Sequence, residues 1–370
     1  MGIFSREKKD TERVLILDID SSFIGASVLE SSEAGTRDVF SVREPIDMEE
    51  GDPERFLAAT LRSLKAALGE VFALHMPAPD KIFCLLSSPW YVSEIRKIKM
   101  AKNVPFVFTA KLADELLRKE AELLESRYMA EYGNRSGEGM EPIELKTMRT
   151  LLNGYAAASP LGKKAKELEV SVYISAAPSD ILEKMRSAVN GYFHNPSLKF
   201  MSSCFASFSA TRDLFSENDY LLVEIGGETT DLSMVKKGEL SGFLSFPIGS
   251  GFLSRHLARN FGSSRIEAAS LVSLHVRGHA ERLLGRRMAP ALKGAGDAWL
   301  SEFERALSDI SDDVAAPSSV VVVTDPRYSG FFQRAIGREQ SHQYDWSESK
   351  FKTVFFSKEA LHSLYLRRFV

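Results

Sequence analysis

Two short stretches of the sequence place acids and hydroxyls between apolar runs. Residues 220–238 read YLLVEIGGETTDLSMVKKG, so a Gly-Gly turn followed by Thr229, Thr230 and Asp231 separates two apolar runs. An ordinary hairpin needs only the glycines of its turn. Hydroxyl donors and a carboxylate beside a poorly covered backbone suit a loop that approaches phosphate or a magnesium-bound water, and a hairpin with a polar tip has the same pattern.

The second stretch lies near the start of the chain. Residues 14–31 read VLILDIDSSFIGASVLES, in which Asp18 ends an apolar run and Ser21 and Ser22 occupy the turn. The same arrangement of strand, polar turn and strand therefore occurs twice. A repeated polar turn favours a functional interpretation more than a single one does.

The segments around these turns predict an α/β architecture. DPERFLAATLRSLKAALGEVFAL has apolar residues at helical spacing, DKIFCLLSSPW reads as a buried strand, and SSVVVVTDPRYSGFFQRAIG as a strand, a turn and a helix. Because strands and helices alternate, we expect mixed sheets that are covered by helices.

A different pattern interrupts this alternation in the first half of the chain. An amphipathic helix capped by Thr109 is predicted within residues 106–132, and it is followed by two strands, IELKTMRTLLNGY and LEVSVYISA, and a helix, SDILEKMRSAVNGYF. A helix, a strand pair and a helix between the two polar turns indicate an inserted subdomain.

Composition excludes several classes of protein. The chain has 370 residues, 44% of them hydrophobic and 26% charged, with a formal net charge of −3, which indicates a soluble globular protein without a general attraction to nucleic acid. No apolar run approaches the roughly 20 residues that span a bilayer. Cys84 and Cys204 lie in apolar contexts and predict a reducing, cytosolic location.

The order and spacing of these elements resemble the actin-like ATPase superfamily, with its phosphate 1, phosphate 2 and adenosine motifs. In detail the chain resembles the FtsA and PilM branch. EIGGETTDLSMVKKGEL followed by FPIGSGFLSRHLA is similar to the phosphate 2 hairpin of that branch and the helix after it. LLNGYAAASPLGKKAKELEVSVYISA is similar to the SHS2 insertion of the branch, and the resemblance covers nearly the whole chain.

The resemblance implies an α/β, ribonuclease H-like fold of two actin-like lobes with an SHS2-type insertion in the first lobe. We expect a flexible N-terminal tail at 1–12, a first lobe at 13–105 and 186–216, the insertion at 106–185, and a second lobe at 217–370 with a reduced helical insertion at about 262–316.

The resemblance also implies a nucleotide site in the turns. Its phosphate 1 residues are Asp18, Asp20, Ser21 and Ser22, its phosphate 2 residues are Glu224, Gly226, Gly227, Thr229, Thr230 and Asp231, and its adenosine loop is Thr324, Asp325 and Pro326. ATP and Mg²⁺ are the ligands implied, with Asp18 holding the metal through water.

Three of these loops depart from the family pattern. Asp20 and Gly25 stand where the phosphate 1 turn usually has glycine and lysine, Glu224 replaces an aspartate, and Asp325-Pro326 replaces the adenosine-loop glycines. We expect nucleotide binding to be weak or lost, so the chain is at most a weak ATPase. The alternative is a nucleotide-free pseudo-ATPase whose hairpins only hold the lobes in register.

The resemblance implies a cytoplasmic scaffold of type IV pilus assembly or cell division, peripheral at the inner membrane. Its expected partner is a short segment of an inner-membrane protein, similar to PilN, or a division-ring protein, with self-association left open and neither nucleic acid nor direct membrane insertion expected. Trp90 and Tyr91 lie at a strand end next to the insertion, where the resembled family has a peptide groove, so they are candidates for a partner groove, although core packing is favoured for either residue taken singly. A sugar kinase of the same superfamily is disfavoured because the inserted segment is similar to SHS2.

Overall fold

The computed structural model describes most of the chain. The described residues are 11–33, 35–46, 52–132, 139–194, 197–279, 282–311, 317–339, 352–358, 360–361 and 364. The predicted N-terminal tail at 1–12 lies outside them except for Thr11 and Glu12, which already belong to the first strand.

Strands and helices alternate along the chain as the sequence predicts. The strands are β1 Thr11–Ile19, β2 Phe23–Ser32, β3 Gly35–Pro45, β4 Lys81–Leu86, β5 Val92–Val107, β6 Met140–Leu152, β7 Tyr155–Ala156, β8 Lys164–Pro178, β9 Leu198–Ser202, β10 Tyr220–Ile225, β11 Thr230–Lys236, β12 Glu239–Phe246, β13 Ser319–Thr324 and β14 Lys352–Phe356. The helices are α1 Pro53–Ala73, α2 Ala110–Tyr132, α3 Ser179–Asn190, α4 Ser203–Leu214, α5 Ser250–Phe261, α6 Arg265–Val276, α7 Arg282–Ser311 and α8 Ser329–Glu339.

Two five-stranded sheets have the same construction. The first has the order β3-β2-β1-β4-β9 and the second the order β12-β11-β10-β13-β14. In each, three antiparallel strands continue into a parallel pair, because β1 pairs with β4 and β10 pairs with β13 in parallel. The chain thus contains two lobes with matching topology, which confirms the predicted two-lobe actin-like fold.

The central strands are buried on both faces, because helices cover each sheet. Every residue of β10 and of β13 is buried, and these strands read YLLVEI and SVVVVT. Such continuous apolar, partly β-branched runs are typical of parallel strands between two helical layers. On the first lobe α1 begins with Pro53 after Asp52, whose side chain accepts a hydrogen bond from the Glu54 N–H at 3.1 Å.

The third sheet is inserted into the first lobe. Its order is β5-β8-β6-β7, all antiparallel, and α2 packs against it after a cap in which Thr109 Oγ1 accepts from the Leu112 N–H. The sheet begins at Val92 with β5, before the predicted boundary at 106. The sequence of β5 carries Arg96, Lys97 and Lys99, so it lacks the apolar run that would have predicted a strand of this length.

The helices show two further features. Helices α6 and α7 occupy the segment predicted as a helical insertion at about 262–316. Along the part of the chain that the structure describes, none of the helices combines the length and the apolar character needed to cross a membrane.

Candidate functional site

The turns of the two repeated hairpins touch each other where the lobes meet. The Ser21 hydroxyl of the β1–β2 turn accepts a hydrogen bond from the Glu228 N–H of the β10–β11 turn at 2.8 Å. A Cβ atom placed on Gly227 would lie 2.5 Å from the Cβ of Ser22 and 2.9 Å from the carbonyl carbon of Ser21. Only glycine permits this approach. The structure therefore brings the predicted phosphate 1 and phosphate 2 residues together, in direct contact.

Asp20 forms a buried ion pair with a lysine from the far end of the chain. One carboxylate oxygen accepts from the Ser22 N–H and hydroxyl, each at 2.8 Å, and the other pairs with Lys358 Nζ. The Lys358 ammonium also donates to the Ser87 hydroxyl at 3.0 Å. Both side chains are nearly inaccessible, with 4% of Lys358 and 1% of Asp20 exposed.

The lysine stays charged because several acids surround it. Burial alone would lower the pKa of Lys358, but the negative charges of Asp20, Asp18 and Glu224 outweigh burial and raise the pKa above its usual value. In the family that the sequence resembles, a lysine stands at the position of Gly25. A Cβ atom there would lie 3.3 Å from the Cβ of Asp18. In this chain the cation beside the turn comes from Lys358, which follows β14, and not from position 25.

Two further acids of the second hairpin, Glu224 and Asp231, accept hydrogen bonds from hydroxyl groups. Glu224 accepts from the Ser207 hydroxyl of α4 at 2.8 Å, while Asp231 accepts from the Ser88 hydroxyl at 2.8 Å and the Ser245 hydroxyl at 2.6 Å. Burial raises the pKa of Asp231 to about 7, and the neighbouring Glu224 charge adds to that effect.

The threonines of the second hairpin are also engaged with protein atoms. Thr229 Oγ1 donates to the Ser88 carbonyl at 3.2 Å, and Thr230 Oγ1 donates to the Ile248 carbonyl at 2.7 Å while accepting from Trp299 Nε1 at 3.0 Å. The hydroxyls that the sequence assigned to phosphate thus join the two lobes or fix the hairpin in place.

The N-terminus of α5 points into the same hairpin. The Ser250 N–H donates to the Gly226 carbonyl at 2.9 Å and the Gly251 N–H donates to the Gly227 carbonyl at 2.7 Å. A Cβ atom on Gly249 would lie 2.5 Å from the Gly226 oxygen. The first amide groups of a helix are the usual ligands of a phosphate. Here they satisfy carbonyl oxygens of the β10–β11 turn.

The predicted adenosine loop forms an ion pair between the lobes. Asp325 is bound by Arg43 of β3 at 2.6 Å and by Arg327 at 2.7 Å, and the Arg43 guanidinium lies over the Phe23 ring at 3.5 Å. Burial raises the pKa of Asp325, but the hydrogen bond from Arg327 and the charge of Arg43 outweigh it, so the net pKa is lowered. Thr324 is buried at the end of β13, and Pro326 is exposed.

Little space remains between these groups. A cavity of about 10 Å³ is lined by Asp20, Ser22, Phe23, Arg43, Ile225, Gly226, Ser250, Asp325 and Lys358. That volume holds about one water molecule, whereas small-molecule sites occupy at least about 300 Å³. Among the residues that the structure describes, no group of three or more metal-ligating side chains is placed to hold an ion. In this arrangement the residues present do not fit an ATP–Mg²⁺ complex.

The two aromatic residues predicted for a partner groove belong to the core instead. Trp90 is 4% exposed and Tyr91 is 3% exposed. The Trp90 ring stacks on Phe56 of α1 with centroids 4.7 Å apart, and its Nε1 points to the Asp20 carbonyl at 3.4 Å. Because the chain turns inward after β4, these side chains offer no surface to a peptide.

Sequence reasoning missed the groups that close the cleft. Lys358, Arg43 and Ser88 lie far along the chain from their partners, and none belongs to a local motif. The one signal available was chemical. A buried aspartate, in place of the glycine of the resembled family, needs a cation nearby because an unpaired buried charge is costly. That requirement could have directed attention to lysines at strand ends.

Comparisons with known proteins extend this description. No family model matches the sequence, and no curated protein matches it. Among solved structures, the PilM-PilN type IV pilus biogenesis complex aligns with a TM-score of 0.59 and 17% identity, covering 86% of this chain and 82% of the other. The ethanolamine utilization protein EutJ from Carboxydothermus hydrogenoformans aligns with a TM-score of 0.50 and 12% identity, covering 97% and 90%. At these identities the likeness concerns the fold, and it agrees with the two matching lobes.

Proposed function

We propose that this chain is a nucleotide-free scaffold of actin-like fold that acts by binding a protein partner. One observation carries the proposal: the Lys358–Asp20 ion pair is buried among the residues that would otherwise receive the phosphates. Together with the Arg43–Asp325 pair, this ion pair means that the chain's own side chains supply the charges that a bound nucleotide would supply. The pseudo-ATPase interpretation of the sequence is therefore the one we favour.

The cost of admitting a nucleotide supports this proposal. Phosphate entry would separate Gly227 from Ser22 and detach Lys358 from Asp20. Breaking a buried pair so that one charge is left uncompensated costs about 3–5 kcal/mol. That penalty corresponds to a loss of affinity of about a hundredfold or more. Asp20 itself would repel a phosphate group once Lys358 had moved.

The partner class is inferred from the structural comparison. In the solved complex PilM is found with PilN. By analogy, we propose that this chain binds a short segment of a membrane-anchored protein and is thereby located at the inner face of the membrane. The likeness covers 86% of this chain and 82% of the other, so the analogy rests on most of the fold.

Calorimetry with ATP and Mg²⁺ tests the nucleotide half of the proposal. We expect no binding heat at millimolar ATP for the native chain. The variant that combines Asp20→Gly, Gly25→Lys and Lys358→Met restores the family's residues at this turn, and it provides the matched comparison after its folding is checked by circular dichroism. Native binding in the low micromolar range would contradict the proposal.

Thermal denaturation tests the partner half. A ligand that binds only the folded state raises the melting temperature, so a peptide from the bound segment of the partner should raise it while ATP–Mg²⁺ should not. A pull-down with the full chain supplies candidate peptides from pilus assembly and division proteins. The proposal would be contradicted if ATP–Mg²⁺ raised the melting temperature and no protein retained in the pull-down did so.

A further inference from the structure

We propose that one end of the inserted sheet binds the surface of a bilayer that contains anionic lipid. The surface, here called the distal tip, consists of residues 101–107 and 153–167. It lies outside the cleft, and the inference does not depend on whether the cleft binds nucleotide. It adds a direct lipid contact, where the sequence led us to expect membrane contact only through a partner.

Strand pairing brings the two segments of the distal tip to the same end of the sheet. Val107 at the end of β5 pairs with Lys164 at the start of β8, and Phe106 pairs with Ala165. On the other side of β8, Asn153 Oδ1 accepts from the Lys166 N–H at 2.8 Å. The turn between β6 and β7 therefore lies beside the start of β8, opposite the end of β5.

The distal tip exposes large apolar side chains. Val104 is 72% exposed, Tyr155 80% and Leu161 58%, and Val107 adds a smaller exposed area. These four are among eleven large apolar side chains that are exposed in the described part of the chain. They come from three separate turns or strand ends, and Val104 lies where the register shifts between Ala101 and Phe106.

The charge of the distal tip is opposite to that of the chain. The distal tip has four exposed lysines and a single acid, Glu167, whereas the whole chain carries a formal charge of −3. The lysines are Lys102, Lys163, Lys164 and Lys166. Each lysine near an anionic membrane surface contributes about 1 kcal/mol of attraction, and this attraction acts within a Debye length. Exposed apolar side chains beside lysines are what interfacial binding requires, since both groups are satisfied at the headgroup level.

The shape of the distal tip favours a lipid surface over an acidic protein. A stable protein interface buries about 800 Å² on each partner, with apolar side chains clustered at its centre. Here the exposed apolar side chains come from three separate turns or strand ends, and exposed lysines belong to the same segments. Tyrosine at such a position places its ring among acyl chains and its hydroxyl among headgroups.

Vesicle cosedimentation of the full chain tests the charge requirement. We expect binding to vesicles of phosphatidylcholine with an equal amount of phosphatidylglycerol, none to phosphatidylcholine alone, and loss of binding at high salt. Replacing two lysines, Lys163→Gln with Lys164→Gln, should weaken binding about thirtyfold. The matched control, Lys65→Gln with Lys119→Gln, removes two exposed lysines elsewhere and should leave binding unchanged.

A second pair of variants tests the apolar requirement. Tyr155→Ser with Leu161→Ser should weaken binding at least tenfold, while Ile266→Ser with Leu274→Ser, exposed positions on the second lobe, should not. The Tyr155→Trp chain should show a blue shift of its fluorescence when anionic vesicles are added.

Three results would overturn the proposal. They are absence of cosedimentation, equal binding to neutral and anionic vesicles, and binding that the tip variants leave unchanged. If the native chain does not bind vesicles but the tip variants lose a protein partner in a pull-down, the surface belongs to a protein interface instead.

Discussion

The cleft between the lobes and the distal tip of the inserted sheet use charged and hydroxyl side chains in opposite ways. In the cleft, acids, hydroxyls and cations bind one another, and the remaining cavity is about 10 Å³. At the distal tip, lysines and apolar side chains are exposed to solvent. A recognisable sequence motif therefore does not imply an open binding site. Here the hairpin motif, which the sequence displays most clearly, lies in the closed cleft.

The reason for this difference is the cost of leaving a buried charge without a partner. An exposed lysine is solvated whether or not it has a ligand, whereas Asp20 inside the protein must have a cation. Substitutions in the cleft should consequently change stability, and substitutions at the distal tip should not. The following predictions test that contrast.

The largest effect is expected at Lys358. Lys358→Met should lower the free energy of unfolding by about 4 kcal/mol, because Asp20 would be buried without compensation. Urea denaturation measures the change. Lys352→Met, which removes a lysine whose side chain is 69% exposed, is the control and should cost at most about 0.5 kcal/mol.

A double variant sharpens this prediction. Asp20→Asn combined with Lys358→Met removes both charges, so it should recover part of the stability that Lys358→Met loses. If the two single effects simply add, the ion pair does not hold the cleft closed.

The next effect is a pH dependence from Asp231. Because burial raises the pKa of this carboxyl to about 7, the folded protein holds the proton more tightly than the unfolded chain, whose carboxyl titrates near pH 4. The free energy of unfolding should therefore fall as pH rises, by about 3 kcal/mol between about pH 4 and about pH 7 from this group.

The Asp231→Asn variant isolates that contribution. Urea denaturation across the same pH range measures the free energy of unfolding of both chains. As pH rises, the native chain should lose stability relative to the variant, because only the native chain has a carboxyl group at this position. A difference that is constant with pH would show that Asp231 titrates normally.

A smaller effect is expected where the two turns touch. Gly227→Ala should destabilise the chain by about 2 kcal/mol, since the added carbon would overlap Ser22 unless the lobes shift apart. Gly337→Ala, in the α8 helix with no atom within 4 Å of the added carbon, is the matched control and should be neutral or slightly stabilising. Thermal melts of both variants decide the comparison.

The smallest effect is expected at the distal tip. Tyr155→Ser should change the free energy of unfolding by less than about 0.5 kcal/mol, because its side chain is 80% exposed. A larger loss measured by urea denaturation would mean that the tyrosine contributes to folding, and it would remove the contrast with the cleft.

The fold could be predicted from the sequence because its signals are local. Apolar runs that end in polar turns, such as the run before Asp18 and the one before Gly226, specify strands and turns within about ten residues. The repeated hairpin and the resemblance built on it led to the two-lobe fold. The charged strand β5 was missed because its pairing with β8 depends on residues more than fifty positions away.

The contents of the site could be predicted only in part. The turn residues were found, since they follow strands directly, but their partners were not, since Lys358 is 338 positions from Asp20. Trp90 and Tyr91 were candidates for a partner groove because they lie at a strand end next to the insertion, where the resembled family has a peptide groove, with core packing as the alternative. Their burial depends on the docking of Phe56 and on the path of the chain after Ser88, neither of which is a property of local sequence.

The base of the inserted sheet has a mechanical consequence. Glu144 of β6 accepts hydrogen bonds from Ser175 of β8 and from Ser202, which precedes α4, and the same helix carries Ser207, which binds Glu224. Tension applied to the inserted sheet would therefore reach the second lobe along this series of hydrogen bonds, from Glu144 through α4 to Glu224. The inserted sheet and the second lobe are therefore mechanically coupled, and a force on one should be felt by the other.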